Sequence, residues 1–178
     1  MKNLSRLMIA AAAAALLAGC AQYRGPGAAG PAATATLAPT TGNSTTGTVR
    51  FVQAGDRVRV MGEIRGLKPG AEHGFHVHEK GDCSSGDGMS AGGHFNPGGQ
   101  PHGRHGAGPH HAGDLPSLKA DASGVAKFSF DSTSIRLGGG GSDIVGRGLI
   151  VHRDPDDYRT QPTGNAGPRL ACAVIVPF

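Results

Sequence analysis

Two histidines, His76 and His78, are separated by a single residue, Val77. Alternate residues of a β-strand point to the same face, so a strand here would present two imidazoles side by side, at a spacing that one metal ion accepts. Val77 would then point into the core. Surface histidine pairs without a metal are also common, so the pair alone is weak evidence for a metal site.

Five more histidines and one aspartate fall in one Gly- and Pro-rich stretch. They are His94, His102, His105, His110, His111 and Asp114. Several imidazoles and a carboxylate suit a tetrahedral zinc ion, which would give a loop without core residues something to fold around. The alternative is a solvated histidine-rich loop that holds metals loosely, and these residues alone leave both interpretations open.

The first 20 residues have the charge and hydropathy order of an export signal. Lys2 and Arg6 precede an apolar run over 7–18, which is shorter than the roughly 20 residues that span a bilayer. The run ends in Leu17-Ala18-Gly19-Cys20, which resembles the bacterial lipoprotein cleavage box. We therefore expect a signal peptide over 1–19 and a periplasmic protein that meets the membrane only through a lipid on Cys20. The alternative is an ordinary signal peptide with a stray cysteine.

The two remaining cysteines, Cys83 and Cys172, have no CxxC neighbour. In an exported protein such a pair is typical of a disulfide rather than of a metal site. The bond would tie the histidine-rich stretch to the C-terminal part of the chain.

The elements that must position these residues are short and alternate in hydropathy. Residues 20–46 are rich in Ala, Gly, Pro, Thr and Ser and predict a flexible tether, and residues 47–178 predict one domain. Strands are predicted over 48–53, 57–64, 74–78, 125–130, 148–152 and 170–176, between turn residues and without any helical period. Two long insertions, 79–118 and 153–168, are of a length that is usually functional or disordered.

Charge excludes one class of function. The sequence pI is about 9.3, yet residues 47–178 carry 14 Lys and Arg against 13 Asp and Glu, because the other three basic residues lie in the leader and tether. No basic cluster interleaved with aromatic residues is left in the domain. Nucleic-acid binding is therefore not expected.

Five segments in order resemble the copper/zinc superoxide dismutase family, and the similarity extends over essentially all of residues 47–178. They are HGFHVHEKGDCSS (73–85), SAGGHFNP (90–97), HAGDLP (111–116), VGRGLIVHRDPDD (145–157) and GNAGPRLACAVI (164–175). The resemblance implies an all-β fold, an immunoglobulin-like Greek-key β-sandwich in the form of a flattened eight-stranded barrel with two long functional loops.

The resemblance also implies two metal sites. The copper ligands would be His76, His78, His94 and His152, and the zinc ligands would be His94, His102, His111 and Asp114. His94 would bridge the two ions as an imidazolate. His102 fits better than His105, because it lies eight residues after His94 and precedes Gly103, as in the family pattern.

Two further residues have roles in the family pattern. Asp156 would link a copper ligand to a zinc ligand through hydrogen bonds. Arg169 would attract superoxide and help to hold it at the copper. The lysine and acidic cluster that steers superoxide in animal enzymes is missing, and Arg104 or Arg159 could replace it.

The implied activity is dismutation of superoxide to oxygen and hydrogen peroxide by alternate reduction and reoxidation of copper, with zinc structural and His94 carrying a proton. The protein would act as a monomer or a homodimer. An alternative is a catalytically silent periplasmic module that binds copper and zinc. The presence of every matched ligand and of Arg169 argues against that alternative.

Overall fold

The computed structural model describes residues 30–178, and all their regular structure is β-strand except for one short 3-10 turn, Met89–Ala91. The strands, numbered in chain order, are β1 (Ala32–Pro39), β2 (Thr46–Ala54), β3 (Arg57–Arg65), β4 (Glu72–His73), β5 (Phe75–His78), β6 (Leu118–Lys119), β7 (Ala126–Ser132), β8 (Gly148–His152), β9 (Arg169–Val174) and β10 (Val176–Pro177). Within residues 30–178, no helix is long and apolar enough to cross a membrane.

Eight strands form one curled antiparallel sheet in the order β5-β8-β9-β1-β2-β3-β7, and β10 pairs with β1. The neighbours β3 and β7 are far apart in sequence, as are β5 and β8, so the chain crosses over between them as in a Greek key. β4 and β6 form a separate two-stranded ribbon. The predicted all-β fold is confirmed, and its barrel takes the form of a curled half-barrel.

The core lies on the inner face of this sheet, because burial alternates along the strands with a period of two. In β2 and β3, Val49, Phe51, Val58 and Val60 are fully buried, while Arg59, between the last two, is exposed. Such alternation fixes the register, since a slip of one residue would turn every buried side chain outward.

The predicted start of the domain at residue 47 is wrong. Residues 32–39, which we assigned to the tether over 20–46, form β1 in the interior of the sheet, where β1 pairs with β2 on one side and with β9 and β10 on the other. Ala33, Ala35 and Leu37 are buried in the core. The predicted signal peptide over 1–19, Cys20 and the first part of the tether lie outside the described residues.

Two long connections carry most of the predicted site residues, as the sequence indicated. One joins β5 to β6 through residues 79–117, and the other joins β8 to β9 through residues 153–168. The predicted disulfide is confirmed: Cys83 bonds to Cys172 with a Cα–Cα distance of 5.8 Å, and so ties the first connection to β9. The predicted strand over 170–176 is interrupted at Ile175, which bonds to Arg147 instead of to a sheet neighbour.

Candidate metal centre

His76 and His78 lie on β5, and both are completely buried, with Val77 between them in the core. The strand is held by β8, with His76 opposite Ile150 and His78 opposite Gly148. Gly148 has no room for a side chain, because an added Cβ would lie 2.6 Å from the carbonyl oxygen of Lys80. The packing of β5 against β8 therefore fixes both imidazoles.

His152 ends β8, where the register with β9 shifts between Val151 and His152. Its Nε2 lies 3.4 Å from the Nε2 of His78. His152 Nδ1 donates to the carbonyl of Gly167 at 3.1 Å, and His78 Nδ1 donates to the carbonyl of Gly92 at 2.9 Å. Because a neutral imidazole carries one proton, these bonds leave the two Nε2 lone pairs facing each other.

His94 completes this first cluster from the other side. The ligand atoms of His76, His78, His94 and His152 all lie within 4.8 Å of one another. His76 Nδ1 and His94 Nε2 are buried without a hydrogen-bond partner. A buried imidazole nitrogen without a partner is costly, and a metal ion that accepts its lone pair removes that cost.

A second cluster shares His94 and consists of His94, His102, His111 and Asp114, all buried. The Nδ1 atoms of His94 and His111 are 3.4 Å apart. Asp114 Oδ1 lies 3.3 Å from His111 Nδ1 and 3.1 Å from His102 Nδ1. In a tetrahedral zinc site with ligand distances of 2.0–2.1 Å, donor atoms lie roughly 3.3–3.4 Å apart, so the second cluster fits zinc.

Asp156 lies behind the two clusters and connects them. Its Oδ2 accepts a hydrogen bond from His76 Nε2 at 2.8 Å, and its Oδ1 accepts one from His102 Nε2 at 2.9 Å. Both bonds place the proton on Nε2 and leave Nδ1 free to bind a metal. The structure thus places Asp156 where the resemblance predicted a link between the two sites.

Electrostatics favour neutral imidazoles in the first cluster and a protonated His102 beside an ionised Asp114 in the second. Burial, followed by neighbouring imidazoles, holds the pKa of His78 and of His152 well below the ordinary value. Burial also lowers the pKa of His94 to about 4, against the opposing effect of its hydrogen bond to Asp114. Burial alone would lower the pKa of His102, but its bonds to Asp114 and Asp156 outweigh that effect and raise it to about 9.

Arg169 lies at the start of β9, beside the first cluster. Its guanidinium donates to the carbonyls of Gly88 and Gly92, both at 2.6 Å. Arg169 and His152 line one cavity of about 450 Å³, together with Thr40, Thr41, Asn43, Asp87, Met89, Thr163, Gly167 and Pro168. A small anion in this cavity would meet both a fixed cation and a residue of the first cluster.

Some predicted residues lie elsewhere. His105 belongs to neither cluster: its Nδ1 donates to the carbonyl of Asp114 at 2.9 Å. His110 likewise donates to the carbonyl of His111 at 2.7 Å. Arg104 packs over the ring of Tyr158 at 4.0 Å, and neither Arg104 nor Arg159 lines the cavity at Arg169.

His73, which supports the site through a backbone contact, was not predicted from the sequence. His73 is buried, and its Nδ1 donates to the carbonyl of His152 at 2.9 Å, so it supports the backbone of a residue in the first cluster. The sequence feature that could have identified His73 is its position as the first residue of the motif 73–85.

Comparisons with known proteins agree with this geometry. The family model described as copper/zinc superoxide dismutase matches residues 45–175. A superoxide dismutase [Cu-Zn] of Paramecium bursaria Chlorella virus 1 is 47% identical over 135 residues, which is 72% of this chain and 71% of the viral one. The crystal structure of the clock protein EA4 superposes with a TM-score of 0.76 at 37% identity and covers 85% of this chain and 97% of its own.

Proposed function

The chain belongs to the copper/zinc superoxide dismutase family and therefore converts superoxide to oxygen and hydrogen peroxide with copper and zinc as cofactors. We propose which of its residues bind the metals and the substrate. The copper ligands are His76, His78, His94 and His152. The zinc ligands are His94, His102, His111 and Asp114. Arg169 guides superoxide, and Asp156 orients a ligand of each metal.

The observation that carries this proposal is that His94 belongs to both clusters. Its Nε2 is buried without a partner on the side of His76, His78 and His152, while its Nδ1 lies 2.8 Å from Asp114 on the other side. One imidazole can therefore serve two ions, each through a different nitrogen. Two divalent ions on one ring also make loss of both ring protons affordable, because their charge lowers its pKa.

The reaction needs electrons and protons at the same place. Copper held by the four histidines would supply the one-electron chemistry, since it can accept an electron from one superoxide and give it to the next. Arg169 is charged at neutral pH, because a guanidinium loses its proton only at much higher pH, and so it attracts the anion into the cavity. His94 Nε2, which faces the other histidines of the first cluster, is the atom that would hold a proton for the peroxide product.

The ligand assignment is tested by a pair of variants of the full chain, each loaded with copper and zinc. His152→Ala removes a ligand of the first cluster only, so it should lose copper and dismutation and keep zinc. Gln100→Ala changes an exposed side chain that contacts neither cluster and should keep both metals and the activity. Metal content by mass spectrometry and cyanide-sensitive turnover give the readouts. Retention of full copper by His152→Ala would contradict the assignment.

We also propose that the protein is a periplasmic lipoprotein whose only membrane contact is the lipid on Cys20. The order of charge, apolar run and Leu17-Ala18-Gly19-Cys20 supports this location, as does the Cys83–Cys172 disulfide, which suits an oxidising compartment. Labelled palmitate should enter the wild-type chain in bacterial cells but not Cys20→Ser, and only the wild type should partition with detergent. Label in both chains, or in neither, would contradict the anchor.

The assembly is proposed to be a monomer or a homodimer. Within residues 30–178 the exposed large apolar residues are Met89, Val176 and Phe178, and the last two, near the C-terminus, could form part of a small interface. Sedimentation of the metal-loaded chain distinguishes the two states, and any larger assembly would contradict the proposal.

A further inference from the structure

Gln161, an exposed residue of the connection between β8 and β9, binds both backbone groups of His102. Its Oε1 accepts from the His102 N–H at 2.8 Å, and its Nε2 donates to the His102 carbonyl at 3.0 Å. The two residues are 59 positions apart in sequence. The side-chain amide of Gln161 thus makes the two backbone hydrogen bonds that a neighbouring strand would make in a sheet.

The backbone of His102 has little else to hold it. Within residues 30–178, Gln161 supplies the only hydrogen bonds made by the N–H and carbonyl of His102. Pro101 precedes it and Gly103 follows it, so the segment has no strand or helix of its own. The N–H of the following Gly103 donates to Asp114 Oδ2 at 3.1 Å, so the His102 backbone itself is held by Gln161 and its peptide by these two residues together.

The ring of His102 is held from the same connection. Asp156 accepts from its Nε2 at 2.9 Å, so residues 153–168 bind His102 at the ring and at both backbone groups. Nδ1 is left toward the second cluster, 3.1 Å from Asp114 Oδ1. The same connection carries Thr163 and Gly167, which line the cavity beside Arg169.

We propose that Gln161 is a positioning residue for the zinc site and couples zinc binding to the order of residues 153–168. The inference rests on the proposed role of His102 as a zinc ligand. Gln161 touches neither metal: it fixes the peptide from which the ligand projects. Because coupling between two sites is reciprocal, zinc that holds His102 in place also holds the Gln161 side chain and the segment that lines the copper cavity.

The test compares three variants of the full chain with the wild type. Gln161→Met keeps the length of the side chain without its amide, and Gln161→Asn keeps the amide on a side chain one methylene shorter. Gln100→Met is the matched control, since Gln100 is an exposed glutamine of the first connection whose side chain bonds only to the nearby carbonyl of Gly98. Zinc affinity is measured by competition with a chromophoric chelator, and copper affinity is measured separately at the first cluster.

Loss of an outer hydrogen-bond partner of a metal ligand typically weakens metal binding 10- to 100-fold. We expect zinc affinity to fall about tenfold in Gln161→Met and Gln161→Asn, and to stay unchanged in Gln100→Met. Copper affinity and the melting temperature of the metal-free chain should stay near wild type. Zinc should slow amide hydrogen exchange across residues 157–164 in the wild type and do so less in Gln161→Met.

Each other outcome overturns the inference. Unchanged zinc affinity in Gln161→Met would show that the amide does not position His102. A parallel loss of copper affinity and melting temperature would show a general structural role instead. A wild-type chain that takes up no zinc would overturn the zinc site itself, and this result is distinguishable because it appears before any substitution is made.

Discussion

His78 and Arg169 donate hydrogen bonds to the same acceptor, the carbonyl oxygen of Gly92, at 2.9 and 2.6 Å. One peptide therefore fixes both an imidazole of the proposed copper site and the guanidinium that meets superoxide. The 3-10 turn Met89–Ala91 leads into this peptide, and its first neighbour, Gly88, accepts the second bond from Arg169. The position of the substrate-attracting charge relative to the copper is thus set by a single short turn.

Replacement of Arg169 should separate the effect of its charge from that of its shape. Arg169→Lys keeps the charge but cannot make both carbonyl bonds, so kcat/KM for dismutation should fall by a modest factor and remain sensitive to salt. Arg169→Met removes the charge and should lose about tenfold or more, with a flatter dependence on ionic strength. Pulse radiolysis at several salt concentrations measures both quantities. An unchanged salt dependence in Arg169→Met would show that another residue steers superoxide.

Asp156→Asn should weaken the zinc site without unfolding the domain. One carboxylate oxygen becomes an amide that cannot accept, so either His76 or His102 loses its partner. Zinc affinity or activity should fall 10- to 100-fold. Asp154→Asn is the control, because Asp154 is partly exposed, contacts neither cluster and pairs with Arg153 at 3.0 Å. Equal losses in the two variants would argue against a special role for Asp156.

Gly164 combines a left-handed backbone conformation with a lack of space for a side chain. A glycine that has only the first property serves to separate the two effects. An added Cβ would lie 1.9 Å from Asp156 Oδ1 and 2.4 Å from His102 Nε2, whereas Gly55 has a similar φ and nothing within 4 Å. Gly55→Ala should cost about 1–2 kcal/mol of stability from backbone strain alone. Gly164→Ala should cost more and should also lose zinc affinity. Denaturant unfolding and chelator competition measure the two effects, and wild-type zinc affinity in Gly164→Ala would contradict the steric argument.

Zinc binding to the metal-free chain should depend strongly on pH. The pKa of His102 is raised to about 9 by Asp114 and Asp156, which outweigh its burial, and zinc must displace that proton. Affinity should therefore rise about tenfold per pH unit up to pH 9 and then level off. Chelator competition between pH 6.5 and 9.5, with an indicator for released protons, tests this. A plateau that begins near pH 6.5 would mean that His102 is already neutral.

The disulfide should contribute most to the free energy of unfolding when the chain holds no metal. The loop it closes spans 89 residues, for which the chain-entropy model gives an upper value of about 4–5 kcal/mol. Cys83→Ala with Cys172→Ala should lower the free energy of unfolding by an amount up to that value, while Cys20→Ser should leave it unchanged. Urea titration without metals measures the difference, and coincident curves for all three chains would contradict the estimate.

The sequence predicted the parts of the fold in which burial alternates between large and polar side chains. β2 and β3 were found this way, because residues such as Phe51 and Val60 indicate a buried face, whereas β8, which was also predicted, is buried along its whole length. β1 was missed although it alternates too, because its buried residues are mostly alanines and its stability comes from pairing with strands on both sides, which local composition does not reveal.

The residues of the site also fall into two groups, those that were predicted from the sequence and those that were not. The resemblance named each member of the two clusters, and His102 rather than His105 joins the second one. Gln161 and His73 were not predicted, because each acts on a backbone group far away in the chain, 59 and 79 positions distant. Residue type and spacing do not show that a side chain binds a peptide brought near only by the fold, and His73 had only its place at the start of the motif 73–85 as a signal.

The early start of β1 limits how far the copper cavity can stand from a membrane that holds Cys20. Twelve residues from Cys20 to Ala32 reach at most about 43 Å, and β1 adds about 26 Å to Thr40 at the cavity. With Cys20 anchored as proposed, the cavity would stay within about 70 Å of that membrane however the domain tumbles. An enzyme confined in this way would remove superoxide that forms at or crosses that bilayer sooner than superoxide that forms elsewhere in the compartment.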